Sequence, residues 1–382
     1  MNAWADIVRQ VEPLEDLSFD GRLLTRLQGR RDPLPPIHFY TPTFKNYASS
    51  EIKGCGRNAW PAVSITGGDC KLNCDHCKAK ILEPMIPART PEDLWRVVNE
   101  MIASGAGGML LTGGSNHRNE VEYDPYYETI RRIKDEFPGF RIAMHTALVD
   151  DAIASRMSDA GIDAAMMDVI GSQDTITQVY HLRRTPEDFE RALEALTKTP
   201  MKVVPHIVVG LHYGQLLGEW RALEMVARHR PAALVLVVVM PTYANELRPF
   251  VAPDAHEVGQ FFLDARKALA DIPLLLGCAR PAGEVKRIID AYAVMAGVNG
   301  MAHPSDGMVE LAARLDRQVR VTASCCSIAV GDEVMALDGT EQGFEIDLAR
   351  ILEEERARRA VRSGPLGRIK VVSDSGSGCC GA

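Results

Sequence analysis

The stretch that decides the fold is residues 62–77, which read AVSITGGDCKLNCDHC. Residues 62–66 form a short, mostly apolar run with the length of a buried strand, and the glycine pair that follows is typical of a turn. The sequence therefore predicts a strand that delivers three cysteines, Cys70, Cys74 and Cys77, to the loop at its carboxyl end.

This strand begins a repeated pattern of apolar runs, each followed by a helical stretch. The predicted strands are 62–66, 109–112, 141–145, 164–170, 202–209, 234–240, 273–276 and 298–302. The predicted helices are 94–104, 126–136, 150–160, 189–197, 218–229, 255–270, 283–296 and 308–315. Eight strand-helix repeats predict an α/β protein with a TIM-type (β/α)8 barrel, whose sites lie on the loops after the strands.

Three regions are predicted along the chain. Residues 1–60, with the proline-rich segment 32–36, are expected to be an irregular lead-in that packs on the barrel. Residues 61–305 are the predicted barrel core. Residues 306–382 are a C-terminal extension with a Cys-rich tail, in which 332–337 is a predicted strand and 345–362 a predicted surface helix.

Composition excludes several classes of function. The 382 residues include 43 Lys and Arg against 51 Asp and Glu, a net charge of −8, and no basic stripe suits nucleic acid. The longest apolar run, 232–240, is far shorter than the roughly 20 residues that span a bilayer. Because residues 1–12 lack a signal-peptide pattern and the nine cysteines cluster, we expect a cytoplasmic, metal-binding protein without a membrane partner.

The cysteine loop predicts an iron-sulfur centre. Three thiolates on one loop can hold three irons of a cubane cluster, which leaves the fourth iron without a cysteine from this loop. A structural zinc site of three Cys and one His is the alternative, although such sites usually pair two ligand hairpins and the chain has no second C-x-x-C.

The spacing C-x3-C-x2-C after the first barrel strand resembles that of the radical S-adenosylmethionine (SAM) enzymes, over roughly residues 60–305. The resemblance implies that Cys70, Cys74 and Cys77 hold a [4Fe-4S] cluster whose open iron binds S-adenosyl-L-methionine. It also implies reductive cleavage to a 5′-deoxyadenosyl radical, with a reductase or ferredoxin as electron donor. His76 stands where family members often have an aromatic residue.

The same resemblance suggests residues that contact SAM. Gly113, Gly114 and Ser115 follow the second strand like the family's Gly-Gly-Glu segment, with Ser115 in place of the acid, although a simple tight turn is an alternative. His145 and Asp168 lie at the predicted barrel mouth, where a core histidine and a helix-capping acid remain alternatives. Val209 and Gly210 fall where the family's fifth strand contacts adenine.

Within this family, the segments 38–45 with Tyr47, 70–82, 276–283 and 297–300 are similar to one subunit of the split, two-protein lipoyl synthase. That resemblance implies sulfur insertion into an octanoyl chain on an acylated carrier protein or lysyl peptide, with a second radical SAM subunit as a candidate partner. A biotin-synthase-like or [FeFe]-hydrogenase-maturase-like enzyme for a small molecule is the alternative. A different class of protein, an iron-sulfur carrier or a zinc-stabilised binding protein, also fits the cysteines.

Sulfur insertion needs a sulfur donor, and a second iron-sulfur cluster could supply it. Cys278 is expected to be a buried apolar residue. The remaining candidate ligands for an auxiliary cluster are Cys55, Cys325, Cys326, Cys379 and Cys380.

Overall fold

The structure is a computed structural model that describes residues 3–30, 32–40, 60–241 and 248–322. The chain divides into two units, Met1–Glu345 and Ile346–Ala382, and the second unit lies outside the described residues. The predicted strand 332–337 and helix 345–362 also lie outside them. Among the helices described, none is long and apolar enough to cross a bilayer.

The eight strands and eight helices predicted between residues 62 and 315 are all present. The strands are β1 Ile37–Tyr40, β2 Ala62–Ser64, β3 Ile86–Pro87, β4 Gly108–Thr112, β5 Arg141–His145, β6 Ala164–Met166, β7 Lys202–Val203, β8 His206–Val209, β9 Leu234–Val238, β10 Leu274–Leu276, β11 Gly300–Ala302 and β12 Val319–Thr322. The helices are α1 Trp4–Arg9, α2 Gly21–Gln28, α3 Pro91–Ala103, α4 Tyr127–Glu136, α5 Asp151–Asp159, α6 Gln173–Gln178, α7 Pro186–Thr197, α8 Glu219–His229, α9 Ala255–Ala268, α10 Glu284–Ala296 and α11 Met308–Arg314.

Local capping explains where the helices begin. At α3, the Thr90 side chain accepts a hydrogen bond from the Asp93 backbone N at 3.1 Å, and Pro91 occupies the first turn, where no donor is needed. The start of α7 repeats this arrangement, with the Thr185 backbone N donating to Asp188 Oδ2 at 2.7 Å.

The strands form two parallel six-stranded sheets that one bridge joins. Their orders are β12-β1-β11-β10-β9-β8 and β3-β2-β4-β5-β6-β7. Pro205 has no N–H and divides the predicted strand 202–209 into β7 and β8. His206 then joins the sheets, because its N donates to Met167 O at 2.7 Å and its O accepts from Val169 N at 2.8 Å.

The parallel α/β architecture predicted for the core is therefore confirmed. Within the described ranges, no ladder joins β12 to β3, the two outer strands of the joined sheets. The carboxyl ends of β2, β4, β5, β6, β8, β9 and β10 bring their following loops to one face, which positions the cysteine loop opposite the later strands.

The N-terminal lead-in differs from the irregular segment that we expected. It contains the helices α1 and α2 and the strand β1, which pairs in parallel with β11 on one side and β12 on the other. Every residue of β1 is buried. A central strand of a parallel sheet shows no polar alternation, so its four residues gave no period-two signal in the sequence.

Candidate active site

The cysteine loop connects β2 to β3 and is fixed against the loop after β4. The backbone nitrogens of Lys71 and Leu72 both donate to Ser115 O, at 2.9 and 3.3 Å. Cys70 Sγ lies 3.7 Å from the same carbonyl oxygen. The loop that carries the three thiols is therefore positioned by the backbone of the predicted SAM-contacting segment.

Gly114 allows this close approach. Its backbone N donates to Thr66 Oγ1 at 2.7 Å, on the turn that leads into the loop. A Cβ atom at Gly114 would lie 1.9 Å from Asp69 O and 2.6 Å from Cys70 Cα. Only glycine fits here without displacing the cysteine loop, so Gly114 has a packing role in addition to any contact with a ligand.

All three thiols line one cavity of about 320 Å³ at the carboxyl ends of the strands. Gly113, Gly114 and Ser115 lie on its wall beside the thiols. The rest of the wall is largely aliphatic, and the strand residues on it include Leu110, Met166, Val208, Val235 and Val237. The cavity therefore combines a soft-donor edge with an apolar interior.

Burial and neighbouring charge act differently on the cysteines. Burial raises the pKa of the Cys74 thiol well above its usual value, and the charges of Cys77 and Cys70 add to the effect. Burial also opposes ionisation of Cys77, but the charge of His76 and a hydrogen bond from it outweigh that effect and lower the pKa. The His76 pKa is raised because Cys77 outweighs the burial of the imidazole.

Asp75, between Cys74 and Cys77, connects the cysteine loop to neighbouring segments. Its carboxylate accepts from Lys78 Nζ at 2.5 Å and from the Tyr213 hydroxyl at 2.8 Å, and His181 Nε2 lies 3.0 Å away. Burial opposes ionisation of Asp75, but these partners outweigh it and lower the pKa to about 2. The carboxylate is therefore charged at neutral pH and ties the loop to two other segments.

A polar wall, formed by His145, Asp168, Tyr180 and His206, interrupts the aliphatic lining. Asp168 Oδ2 accepts from the Tyr180 hydroxyl at 3.2 Å, and Asp168 Oδ1 lies 3.7 Å from His145 Nε2. The rings of His145 and His206 are 5.5 Å apart between centroids. The wall reaches the cysteine loop because the Tyr180 ring stacks on His76 at 5.2 Å.

The surroundings of the polar wall favour a charged Asp168 beside a neutral His206. Burial opposes ionisation of Asp168, but the neighbouring His145 outweighs it and lowers the pKa to about 2. Burial and then the charge of His145 lower the pKa of His206 to about 4. His206 Nδ1 lies 3.1 Å from Val204 O, so in the neutral tautomer that donates there, Nε2 is the acceptor.

The structure brings most of the predicted site residues together, but not all of them. Eight of the residues predicted from the sequence line the same cavity: Cys70, Cys74, Cys77, Gly113, Gly114, Ser115, His145 and Asp168. Cys278 packs against core residues, as expected of a buried apolar residue, but it is only partly buried and also lines the cavity.

Val209 and Gly210 lie elsewhere. Val209 is fully buried, and the neighbouring Val208 faces the cavity instead. The Gly210 N–H is already bonded to Glu219 Oε1 at 2.8 Å. The five candidate ligands of an auxiliary cluster lie outside the described residues: Cys55, Cys325, Cys326, Cys379 and Cys380.

The sequence analysis did not identify His206 or Tyr180 as site residues, nor the contacts by which Asp75 holds the cysteine loop. His206 had one available signal, because it precedes Val208 by two residues on a strand and so shares its cavity-facing side. No signal in the sequence marked Asp75 or Tyr180. Asp75 contacts a residue more than 100 positions away, and Tyr180 lies in an irregular loop.

The three thiols of the cysteine loop suit an iron-sulfur cluster. In the part of the chain that the structure describes, no three His, Cys, Asp or Glu side chains converge as ligands of a single metal ion. A cubane does not require this convergence, because each thiolate binds a different iron atom. Three thiols on one loop, facing one cavity, match that requirement.

Comparison with known proteins agrees with this site. Residues 64–215 match the Radical SAM superfamily. A biotin synthase from Saccharopolyspora erythraea is 24% identical over 106 residues, which cover 27% of this chain and 30% of that relative. The match thus spans less than a third of the length of the curated relative.

One solved structure shares the fold, and another is similar at a lower score. The crystal structure of HydG, a maturase of the [FeFe]-hydrogenase, aligns with a TM-score of 0.54 and 13% identity, covering 88% of this chain and 79% of that one. Methylornithine synthase (PylB) aligns with a TM-score of 0.48 and 12% identity, covering 80% of this chain and 86% of that one. Radical SAM proteins use a [4Fe-4S] cluster and SAM, and residues 64–215 of this chain match that superfamily.

Proposed function

We propose that this radical SAM protein inserts sulfur into aliphatic C–H bonds of an octanoyl chain carried by a protein or lysyl peptide. Cys70, Cys74 and Cys77 would hold the [4Fe-4S] cluster. When bound, this cluster supplies the electron that cleaves SAM to a 5′-deoxyadenosyl radical. All other steps depend on how the chain positions SAM and substrate in the cavity.

The polar wall is the proposed contact for polar groups of SAM. The Asp168 carboxylate is an acceptor at neutral pH, because its pKa is about 2, and Tyr180 fixes its orientation. His206 Nε2 offers a second acceptor in the tautomer that donates from Nδ1 to Val204 O. Hydroxyl groups of a ribose are donors of the kind that these two side chains accept.

The observation that carries the octanoyl proposal is the aliphatic lining opposite the cysteine loop. Leu110, Met166, Val235 and Val237 present hydrocarbon to the cavity. Burying each CH2 of a substrate contributes about 0.8 kcal/mol. An octanoyl chain would thus gain on the order of several kcal/mol before the cost of ordering it. The same walls exclude water from a reactive carbon radical.

The sulfur donor in this proposal is a second iron-sulfur cluster. The predicted ligands come from Cys55, Cys325, Cys326, Cys379 and Cys380, all outside the described residues. Cys278, on the cavity wall, is near the proposed substrate and is a further thiol to test.

A small polar substrate is the second candidate, and the polar wall favours it. An acceptor pair inside the cavity suits an amine or ureido group, which an octanoyl chain lacks. The partial similarity to a biotin synthase and the shared fold with HydG agree with this alternative.

One set of reactions separates the two candidates. Reconstituted, reduced protein with SAM is incubated with an octanoyl-lysyl peptide, with dethiobiotin or with free amino acids, each with and without a second radical SAM subunit. We expect 5′-deoxyadenosine above the substrate-free control and a thiolated peptide by mass spectrometry. Turnover of a small molecule without a thiolated peptide would assign the second function.

Two variants sharpen the comparison. Val237→Asn places an amide on the aliphatic wall and should weaken use of the octanoyl peptide. His206→Gln changes the polar wall instead. If the Val237→Asn variant turns over the octanoyl peptide as fast as the wild type does, the hydrocarbon lining does not bind the substrate.

A further inference from the structure

The loop after β4 presents a neutral amide side chain, that of Asn119, to the cavity. Asn119 is 6% exposed and lines the cavity, as do Ser115 and Thr146. Within the described part of the chain, its hydrogen bonds are made by its backbone. The Asn119 N donates to Asn116 O at 3.0 Å, and the Asn119 O accepts from Leu148 N at 2.9 Å. The described residues therefore leave both the donor and the acceptor of the Asn119 amide available to a ligand.

A tight turn fixes the backbone of Asn119. Its φ is +61°, in the left-handed region where Asn and Asp are enriched among residues other than glycine. The Asn116 side chain stabilises the turn, because its Oδ1 accepts from Arg118 N at 2.9 Å and from Glu120 N at 3.1 Å. The bond from Leu148 joins the turn to the loop after β5. The backbone on both sides therefore positions the Asn119 amide before any ligand binds.

The charged neighbours of Asn119 in the sequence pair with each other. Arg118 is exposed, and its Nε donates to Glu120 Oε2 at 2.9 Å. Glu120 lines a separate surface groove, where it also lies 3.5 Å from Arg184. This stretch of the cavity wall is therefore polar but neutral. A neutral amide suits a neutral polar group, whereas the ammonium and the carboxylate of SAM are bound more strongly by opposite charges.

The position of Asn119 matches the amide of an octanoyl-lysyl group. The aliphatic residues Leu110 and Val237 lie on strands, whereas Asn119 lies on the loop beyond the end of β4. A carrier protein stays outside a cavity of about 320 Å³, so the acyl chain reaches the strand residues while its amide remains at the level of the loops. A secondary amide has one N–H donor and one carbonyl acceptor, which complement the Oδ1 and Nδ2 of an Asn side chain.

We propose that Asn119 recognises the amide that joins the octanoyl chain to lysine, with Nδ2 donating to the amide carbonyl and Oδ1 accepting from the amide N–H. This inference rests on the proposed function, because it requires an octanoyl-lysyl substrate. Asn119 then determines specificity, favouring amide-linked acyl groups over those held by an ester or a thioester, which have no N–H. A site that bonds an N–H rejects an analogue without it, because a buried acceptor is left unpaired.

The test changes the protein and the substrate together. Two octanoylated peptides are compared, one with the lysyl amide and one with an ester oxygen in place of the amide N–H. Their binding to reconstituted full-length protein with SAM is measured by fluorescence anisotropy without reductant, and the affinity for SAM is measured separately. Asn119→Gly removes the amide but tolerates a positive φ, and Asn119→Asp keeps an acceptor but loses the donor. The matched control is Asp316→Gly, because Asp316 also has a positive φ, +57°, but is exposed and lies outside the cavity.

We expect the wild type to bind the amide peptide about tenfold more tightly than the ester, the effect of one hydrogen bond whose acceptor is otherwise left unpaired. Asn119→Gly should bind the two peptides equally, and both more weakly than the wild type binds the amide. Asn119→Asp should bind both more weakly but still prefer the amide, because its carboxylate accepts from the N–H. Asp316→Gly should keep the wild-type affinities. In turnover, the loss in Asn119→Gly should be a higher KM for the amide peptide.

Three results would overturn the proposal. The first is equal binding of the amide and the ester by the wild type. The second is a preference for the amide that Asn119→Gly retains in full, which would leave Asn119 with a role in the turn alone. The third is a loss of SAM affinity in Asn119→Gly as large as its loss of peptide affinity, which would assign the side chain to SAM. Failure of the wild type to bind either octanoylated peptide would instead refute the proposed function.

Discussion

Gly114→Ala is the substitution that most directly tests how the cysteine loop is held. A Cβ at this position would lie 1.9 Å from Asp69 O, whereas real Cβ contacts are essentially never shorter than 3.0 Å. The loop or the glycine turn must therefore move by about 1 Å. The turn and the loop share hydrogen bonds through Thr66 and Ser115, so neither can move alone.

A displacement of this size is large for catalysis, since a 1 Å misplacement can lower a rate about 100-fold. Overpacking costs about 1–3 kcal/mol of folding stability, which a domain of this size tolerates. We therefore expect Gly114→Ala to remain folded and to lose about 100-fold in reductive SAM cleavage, with less iron bound after anaerobic reconstitution.

Gly107→Ala is the matched control. Gly107 precedes β4, and a Cβ there would meet no heavy atom within 4 Å. Both variants make the same change to the unfolded chain, so they differ only in the folded state. Circular dichroism, iron and sulfide content and 5′-deoxyadenosine are measured for both. A Gly114→Ala enzyme that cleaves SAM as fast as Gly107→Ala would refute a role for this close approach.

The remaining predictions concern the cluster, the core and pH. Replacing Cys70, Cys74 and Cys77 with Ala should abolish SAM cleavage but leave iron and sulfide near one cluster per chain; complete loss of iron from folded protein would contradict a second cluster. Asp290→Asn leaves Arg280 and Lys286 without the carboxylate that both contact at 2.7 Å, and should destabilise the fold by about 3–5 kcal/mol in urea unfolding; a loss below about 1 kcal/mol would contradict this. Burial and then the charge of Arg320 lower the pKa of His38 to about 4 from an unfolded value near 6.5, so the unfolded chain binds the proton first, and up to about 3 kcal/mol of stability is lost as pH falls from 6.5 to 4. The His38→Leu variant should lose less stability over this pH range, and an unchanged slope would exclude His38 as its source.

The fold was predictable where the sequence repeats its signals. Apolar runs end at glycines or polar turns, and helices such as α3 and α7 begin at a Thr-Pro-Glu-Asp motif, so both element type and order could be inferred. The strand β1 could not be predicted, because all four of its residues are buried and the apolar run is short.

The site was predictable at the cysteine loop, where three ligand-type side chains follow one strand. It was less predictable on the strands that form the opposite wall. Val208 and Val209 are both apolar, and a strand buried on both faces does not reveal which residue points inward. Because of this ambiguity, the sequence analysis included Val209 in the predicted site instead of Val208, and it did not include His206.

The gathering of Asp168, Tyr180 and His206 was not predictable for a different reason. These side chains come from three separate loops or strand ends, and their distances depend on how the two sheets join at His206. No local pattern in the sequence encodes that junction, because it results from Pro205 and from the pairing of β6 with β7, followed by the bonds of residues 167–169 to His206.

The most direct test of the central claim is transfer of deuterium from an octanoyl-lysyl peptide that is fully deuterated on its acyl chain. Reduced, reconstituted protein with SAM and this peptide should yield 5′-deoxyadenosine that contains deuterium, as measured by mass spectrometry. The Cys70, Cys74 and Cys77 triple variant should yield none. 5′-Deoxyadenosine without deuterium, in reactions where a small molecule is turned over, would contradict the assignment of an octanoyl substrate.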